Sequence, residues 1–223
     1  MGKTRFLIER LDLKKVESLK RSGGNAVGGT ECEIAFIDER YLPDLLKLQE
    51  LIIQSLSDKE IFKFSSEEVL RNLFVTERSV IGAFTEECLI AYSIIHLPAG
   101  DGDNLGADIG IDDGEMCNVG HIKAVAVHPA YRGNSLQRKM MGVHLNVLKD
   151  IGCRHVCSTV SPKNFPSVLN FFSIGMVIEG LNLKFDGLLR YIMHMDLNSP
   201  FDAGSERFER IKIDGQDIPL QLD

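Results

Sequence analysis

The stretch Val125-Ala126-Val127-His128-Pro129-Ala130-Tyr131-Arg132-Gly133-Asn134-Ser135-Leu136-Gln137 restricts what this chain can become more than any other. An apolar run ends at a proline, which cannot extend a strand ladder, and a polar turn then feeds a helix over about 134–150. That helix carries Leu136, Met140, Val143 and Val147 at steps of four, three and four, which is one apolar face. Gly152 is placed to stop it. The first turn of such a helix offers main-chain N–H groups without helical partners and the positive end of the dipole. Phosphate binds there through the main chain. Gly133 allows close approach because it has no Cβ, and Arg132 adds a fixed positive charge at the rim. An anionic diphosphate fits this arrangement.

The remaining pattern places the turn in an α/β (α+β) domain. Glu33–Ile37 reads as a strand, and a helix over about 41–56 has Leu45, Leu48, Leu51, Ile52 and Leu56 at helical spacing. Ser65 and Glu68 form a capping box for a second helix with the stripe Val69, Leu70, Leu73 and Phe74. Residues 79–85 and 88–97 read as a hairpin, and 98–116 as a long Gly/Asp-rich loop. Val119–Val127 is apolar enough for a central strand buried on both faces. A strand at 154–160 follows, then a helix over 163–173 with Phe165, Val168, Leu169 and Phe172 on one side and Gly175 at its end. Residues 176–179 and 189–197 close as strands. Outside this domain, taken as 31–198, residues 1–30 read as a basic appendage with a Gly-rich linker and a short helix around 6–20. Residues 199–223 read as a tail in which 206–222 add a hairpin.

The net charge of −7 argues against a nucleic-acid partner, which calls for a basic face. No apolar run approaches the ~18 residues of a membrane span. Position six is Phe6, where a myristoylation signal wants Ser or Thr. Five cysteines form an odd set, for which a reduced, cytoplasmic compartment is the simplest reading. Cys153, His155 and Cys157 would share one face of a strand, but no second pair completes a four-ligand zinc site, so buried thiols are expected and no metal.

Here the chain resembles the GNAT superfamily of N-acetyltransferases. Their signature is Arg or Gln, two residues, Gly, one residue, then Gly or Ala, set between a strand and a helix. Arg132 matches the first position, and Ser135 and Gln137 stand where the family has its small residues. A second pattern follows in order: Asn164 at the start of the next helix, Ser167 three later, Phe171 seven later, Gly175 and Met176 at eleven and twelve. The resemblance covers roughly 33–197. It implies a mixed, mostly antiparallel sheet splayed at a cofactor wedge and flanked by helices.

The resemblance also implies chemistry. Acetyl-CoA would lie where the strand ending at Val127 parts from the strand at 154–160, its pantetheine arm along Val125, Ala126 and Val127. Its diphosphate would rest on the N–H groups of Arg132, Gly133, Asn134, Ser135, Leu136 and Gln137, with Asn164 and Ser167 holding the arm. A primary amine, on a small molecule or a protein, would attack the thioester directly. The family's acid is commonly a tyrosine where this chain has Phe171, which leaves Tyr191, Tyr92 or an unassisted thiolate departure. The family's base is often a glutamate on the strand before the turn. His121 and Lys123 stand near there instead, and His121 has a suitable ordinary pKa, although a structural histidine is the competing reading.

Between Ser79 and Ile122 there is no Lys or Arg before Lys123, while Glu86, Glu87, Asp101, Asp103, Asp108, Asp112, Asp113 and Glu115 are all acidic. Such a loop either attracts a cationic amine or is simply solvated surface. Leu105 and Asp112 do not suit a calcium loop. Three functional readings stand: an acetyltransferase, an enzyme of the same kind using a longer acyl-CoA, and a CoA-binding sensor or partner module without turnover. A homodimer is compatible with each.

Overall fold

The computed structural model describes the main chain of residues 5–13, 30–86, 88–98, 102–199, 210–213 and 216–219, and side chains at 7, 31–86, 88–98 and 102–199. The elements run β1 (Arg5–Leu13), β2 (Thr30–Ile37), α1 (Leu42–Ser55), α2 (Glu67–Leu73), β3 (Val80–Thr85), β4 (Cys88–His96), β5 (Val119–Val127), α3 (Leu136–Asp150), β6 (His155–Val160), α4 (Phe165–Ser173), β7 (Val177–Lys184), β8 (Leu188–Asp196), β9 (Arg210–Ile213) and β10 (Gln216–Pro219). They group into two compact units. One comprises Met1–Ser57, Phe64–Ile95 and Ala124–Met141, the other Asp58–Lys63, His96–Lys123 and Gly142–Asp223, so β5 and α3 contribute to both. Strand order is β1-β2-β3-β4-β5 in the first and β5-β6-β8-β7-β9-β10 in the second. The ladders β1–β2, β2–β3, β3–β4, β6–β8, β7–β8 and β9–β10 are antiparallel; β5–β6 and β7–β9 are parallel. The sheet is therefore mixed and mostly antiparallel, as expected.

In the first unit, the expected helix around 6–20 is replaced by β1, which pairs with β2 along its length from Arg5↔Ile37 to Leu13↔Thr30. Residues 14–29, including the glycine pairs, lie outside the described residues. Helix α1 starts with Pro43 in its first turn and buries Leu42, Leu45, Leu48 and Ile52, while Leu51 faces outward. Helix α2 is capped by Ser66, whose Oγ accepts from Val69 N–H at 3.3 Å, one residue later than the expected Ser65 cap. Ser65 is otherwise engaged: its N–H donates to Gln49 Oε1 (3.0 Å) and its carbonyl accepts from Gln49 Nε2 (2.9 Å). A buried glutamine satisfied by main chain thus fixes the approach to α2 and leaves the cap to its neighbour. The β3–β4 hairpin forms as expected, with Glu86 in the left-handed region at φ 53°.

In the second unit, α3 packs so closely on β5 that a Cβ built on Gly120 would lie 2.5 Å from Leu148 Cδ2. Any side chain there would have to displace the end of the buried Leu148. The stripe expected on α4 is out of phase: Val168 and Phe171 are buried, whereas Phe165 is 65% and Leu169 50% exposed. A nine-residue helix with apolar residues at most positions offers two phases at the same period, and packing takes the one containing Phe171. The acidic loop is bound down at several points, while Asp103, Asp112 and Asp113 stay exposed. Leu105 packs with Val119, Cys157 and Ile192, Asn104 Nδ2 donates to the Met116 carbonyl (3.0 Å), and Asp108 is held by Asn182 Nδ2 (2.8 Å) and Lys184 Nζ (2.5 Å). Glu87 and Asp101 lie outside the described residues. Strands β9 and β10 form the hairpin expected in the C-terminal tail.

Candidate cofactor and acyl-transfer site

The turn between β5 and α3 is built by short-range hydrogen bonds in the first unit. His128 N–H donates to the Ile90 carbonyl (2.8 Å), and then Pro129 ends the ladder. Residues Pro129–Tyr131 make a 3-10 turn whose cap is His128, with Nδ1 accepting from Ala130 N–H (3.1 Å). Burial and the Arg132 guanidinium hold His128 below the ordinary imidazole range, which keeps that nitrogen an acceptor. Tyr131 is fixed in turn: its ring meets His128 edge-on, its hydroxyl accepts from Thr85 Oγ1 (3.4 Å), and its carbonyl accepts from Asn134 Nδ2 (3.0 Å). The sequence reading includes His128 and Tyr131 in this stretch without giving either side chain a role, and does not single out Thr85. The His-Pro pair was the available signal.

Two left-handed residues then bracket Asn134, Gly133 at φ 81° and Ser135 at φ 58°. A Cβ at Gly133 would meet nothing within 4 Å, so its dihedral demands glycine and the space above it is open. The first rung of α3 is Lys139 N–H to the Ser135 carbonyl (3.0 Å). The N–H groups of the preceding turn therefore stand outside the helical ladder. Arg132 is exposed at this mouth, and so is Arg138, whose guanidinium lies 3.4 Å from Ser135 Oγ. A helix dipole, unladdered donors and two guanidinium groups make a site for a polyanion.

Strand β5 changes character along its length. Residues Val119–Ile122 are buried, Lys123 is exposed, and among Ala124–Val127 only Ala126 is fully buried. The expectation of burial on both faces therefore holds for the first half alone. The parallel ladder with β6 has three pairs, from Val119↔His155 to His121↔Cys157. Just past it, Ser158 Oγ donates to the Ile122 carbonyl at 2.7 Å, a side chain meeting an acceptor on β5. Both strands continue beyond this point, to Val127 and Val160. Ser158 was not singled out from the sequence, where nothing separates it from an ordinary strand serine.

In the second unit, Asn164 caps α4: its Oδ1 accepts from Ser167 N–H (3.3 Å). The neighbouring Lys163 binds Asp58 (2.9 Å) and Glu60 (3.0 Å), and the Arg190 guanidinium donates to the Leu189 (2.9 Å) and Glu60 carbonyls. These contacts tether Asp58–Lys63. His121 is 3% exposed, and its Nε2 accepts from Leu105 N–H at 3.1 Å. Burial, then Lys123, His96 and Lys184, push its pKa down to about 3. In this arrangement His121 is neutral and anchors the loop through the lone pair that a base would use. Tyr191 is half-buried on β8, opposite Val160 of β6 and Leu181 of β7. Tyr92, in the first unit, is sealed from solvent, its hydroxyl has no hydrogen-bond partner among the described residues, and burial raises its pKa. Phe171 is core. Cys153 and Cys157 are buried thiols with raised pKa, and among the described residues no group of three His, Cys, Asp or Glu is placed to hold a metal ion. No described helix is long and apolar enough to cross a membrane.

No curated protein matches this sequence. Solved structures do match the fold. PaiA N-acetyltransferase from Thermoplasma acidophilum, in complex with coenzyme A, aligns at a TM-score of 0.54 and 16% identity, covering 74% of this chain and 98% of that one. YncA, a putative acetyltransferase from Salmonella typhimurium with acetyl-CoA, aligns at 0.57 and 14%, covering 78% and 98%. The ribosomal-protein-S18-alanine N-acetyltransferase from Escherichia coli aligns at 0.54 and 15%, covering 77% and 97%. At such identities the likeness establishes the fold. The sequence profile of the Acetyltransferase (GNAT) family matches residues 47–176, which include the second part of α1, then α2, the β5–α3 turn, β6 and α4. With the profile spanning more than half of the 223 residues, the chain belongs to the GNAT acetyltransferase family.

Proposed function

We propose that this protein is an N-acetyltransferase that moves an acetyl group from acetyl-CoA to a primary amine by direct transfer in a ternary complex. One observation carries the reading: the mouth of α3, where the turn at Gly133 and Ser135 leaves main-chain donors outside the ladder between Arg132 and Arg138. In the proposal, N–H groups from Gly133 to Gln137 and the Arg132 guanidinium, whose own main-chain N–H donates to the Pro129 carbonyl (3.4 Å), hold the diphosphate, and the main chain of Val125, Ala126 and Val127 pairs with the pantetheine arm. Asn164 and Ser167 complete the cofactor set. That two structural neighbours hold CoA or acetyl-CoA supports this choice of ligand.

The amine nitrogen attacks the thioester carbonyl, the C–S bond breaks, and CoA leaves as a thiolate. A main-chain N–H near Val125 polarises the carbonyl, and alignment of the reactants supplies much of the rate. The proton lost by the amine goes to His121, if Leu105 N–H first releases its Nε2, or otherwise to water. Tyr191 is the proposed donor to the thiolate. The neighbours include an enzyme of a ribosomal-protein alanine and a NatC complex bound to a Gag peptide, so a protein or peptide amine is included among the acceptors beside small molecules.

The test is release of free thiol from acetyl-CoA across a panel of peptide and small-molecule amines, run beside calorimetric titration with CoA. Release with one amine class supports the assignment. CoA binding without release from any amine turns the reading to a sensor of the same fold, and absence of CoA binding overturns it.

A further inference from the structure

Strand β8, in the second unit, carries a buried cation that the proposed transfer leaves unused. Arg190 is 3% exposed, and its guanidinium donates to the carbonyls of Leu189 (2.9 Å) and Glu60. Those bonds occupy two of its five N–H donors. Among the described residues no carboxylate pairs with it. The acids that act on it from a distance, Glu60 and Asp58, are both taken by Lys163 Nζ, at 3.0 and 2.9 Å, and are 61% and 37% exposed. An arginine is rarely buried this far without an anionic partner. Burial lowers the Arg190 pKa in spite of those two acids, so they do not offset its desolvation.

A second cation shares these surroundings. Lys63 Nζ lies 5.5 Å, and the Arg190 guanidinium carbon 5.9 Å, from the centroid of the Phe185 ring. Lys63 is exposed and makes no ion pair among the described residues. The ring is presented by a strained turn: Phe185, Asp186 and Gly187 stand at φ 52°, 64° and 100°, three left-handed residues in succession. Only the glycine suits that region. Backbone of this kind persists where its surroundings determine it, and it gathers at ligand clamps. Asp186, on the same turn, is exposed and pairs with neither cation. Two cations thus flank one aromatic ring with no anion bound between them.

We infer that Arg190 and Lys63 receive a carboxylate of the acceptor, so that the amine to be acetylated belongs to a molecule that also carries an acid group. This rests on the acetyltransferase reading and names its substrate class. The position suits it. The β6–β8 ladder ends at Val160↔Tyr191, so Arg190 is the first residue of β8 past the end of β6 and the neighbour of the proposed acid. Neighbouring residues of a strand project to opposite faces. An acceptor held by Arg190 and a cofactor served by Tyr191 therefore approach from opposite faces of β8, as a ternary complex requires. A guanidinium fork fits carboxylate and phosphate alike, but Asp58 and Glu60 on the adjoining segment disfavour the double charge of a phosphate. Free amino acids and acidic residues of peptides both supply the carboxylate.

The experiment is calorimetric titration of the full chain, with and without CoA, using products of the proposed reaction. One arm takes N-acetyl derivatives of the common amino acids beside their C-terminal amides, and the other acetylated peptide amides with Glu beside Gln. The expected result is a carboxylate form binding about tenfold tighter than its amide, and the arm in which it appears identifies the source. Lys63→Gln, at an exposed position, should reduce that preference severalfold, and Arg190→Lys, which keeps the charge and loses the fork, should abolish it. Equal affinity for acids and amides, no binding of any carboxylate, tighter binding of acetylated phosphoethanolamine, or a preference that both variants retain would each overturn the clamp. CoA binding and thiol release decide the acetyltransferase reading separately, so the two failures are distinguishable.

Discussion

Ser135→Gly should move fold stability and cofactor affinity in opposite directions. Ser135 sits at φ 58°, where a residue with a Cβ is strained by about 1–2 kcal/mol. Glycine removes that strain but loses more chain entropy on folding, at about 0.4–1 kcal/mol. The contact from Arg138 to Ser135 Oγ is long, at 3.4 Å, and exposed, so its loss subtracts little. The net is a gain of about 0.5–1 kcal/mol, or ~1–3 °C in Tm for a chain of this size. The hydroxyl, however, points to a second role: at the mouth of α3 it can donate to a bound phosphate. Losing one such hydrogen bond costs about 1 kcal/mol, a roughly fivefold weaker CoA complex. Thermal melts of the free protein and calorimetry with CoA read the two effects separately. A lower Tm would show that the left-handed turn is not strained by serine. Unchanged or tighter CoA binding would show that the hydroxyl has no part in the site.

Arg132→Ala should weaken CoA binding about tenfold, leave Tm within a degree, and flatten the salt dependence of affinity, all measurable by calorimetry. Tyr191→Phe should lower turnover by ~10- to 100-fold at unchanged CoA affinity if its hydroxyl protonates the thiolate; equal rates would remove it from the mechanism. His121→Gln retains an acceptor for Leu105 N–H while removing the imidazole, so a preserved rate in thiol release identifies His121 as an anchor and a large fall identifies it as the base. His121 and the fully buried His144 both have pKa values pushed down to about 3. Each binds a proton more readily unfolded than folded, so their stabilising contribution is present above the ordinary imidazole pKa and is lost as pH falls toward 3. Melts between pH 7 and 4 should show stability falling by up to ~1.4 kcal/mol per pH unit for each histidine, and a flat profile would refute their neutrality.

The fold was legible wherever a period of apolar residues coincided with a punctuating residue. Helix α3 and the hairpin β3–β4 meet that condition, and both formed close to the expected bounds. Helix α4 met only half of it. Asn164 and Gly175 fixed its ends, but the run Phe165 to Phe172 is too short and too apolar to choose its own buried face, and tertiary packing chose Phe171. The N-terminal segment failed for a different reason: β1 depends on a partner, β2, some twenty residues away, and no local pattern announces it. The capping of α2 by Ser66 instead of Ser65 has the same origin, since the competitor for Ser65 is Gln49, sixteen residues earlier.

The candidate site divides along the same line. Its anion-binding half is a local object, a turn and the start of a helix, and a local object is written in adjacent residues: His128, Pro129, Arg132, Gly133 and Ser135 could be read together. The surroundings of the proposed proton carriers are assembled across strands. The Nε2 of His121 is taken by the N–H of Leu105, from a loop whose acidic residues promised exposure, and that loop is held down by Asn182 and Lys184 far along the chain. A histidine's ordinary pKa makes it a base on paper, but the partner of its lone pair and its burial decide whether it can act as one. In this protein both were set by residues that no spacing rule connects to His121. The candidate anion-binding turn was therefore legible from sequence, while the surroundings of His121 became readable only once the strands and the loop were in place.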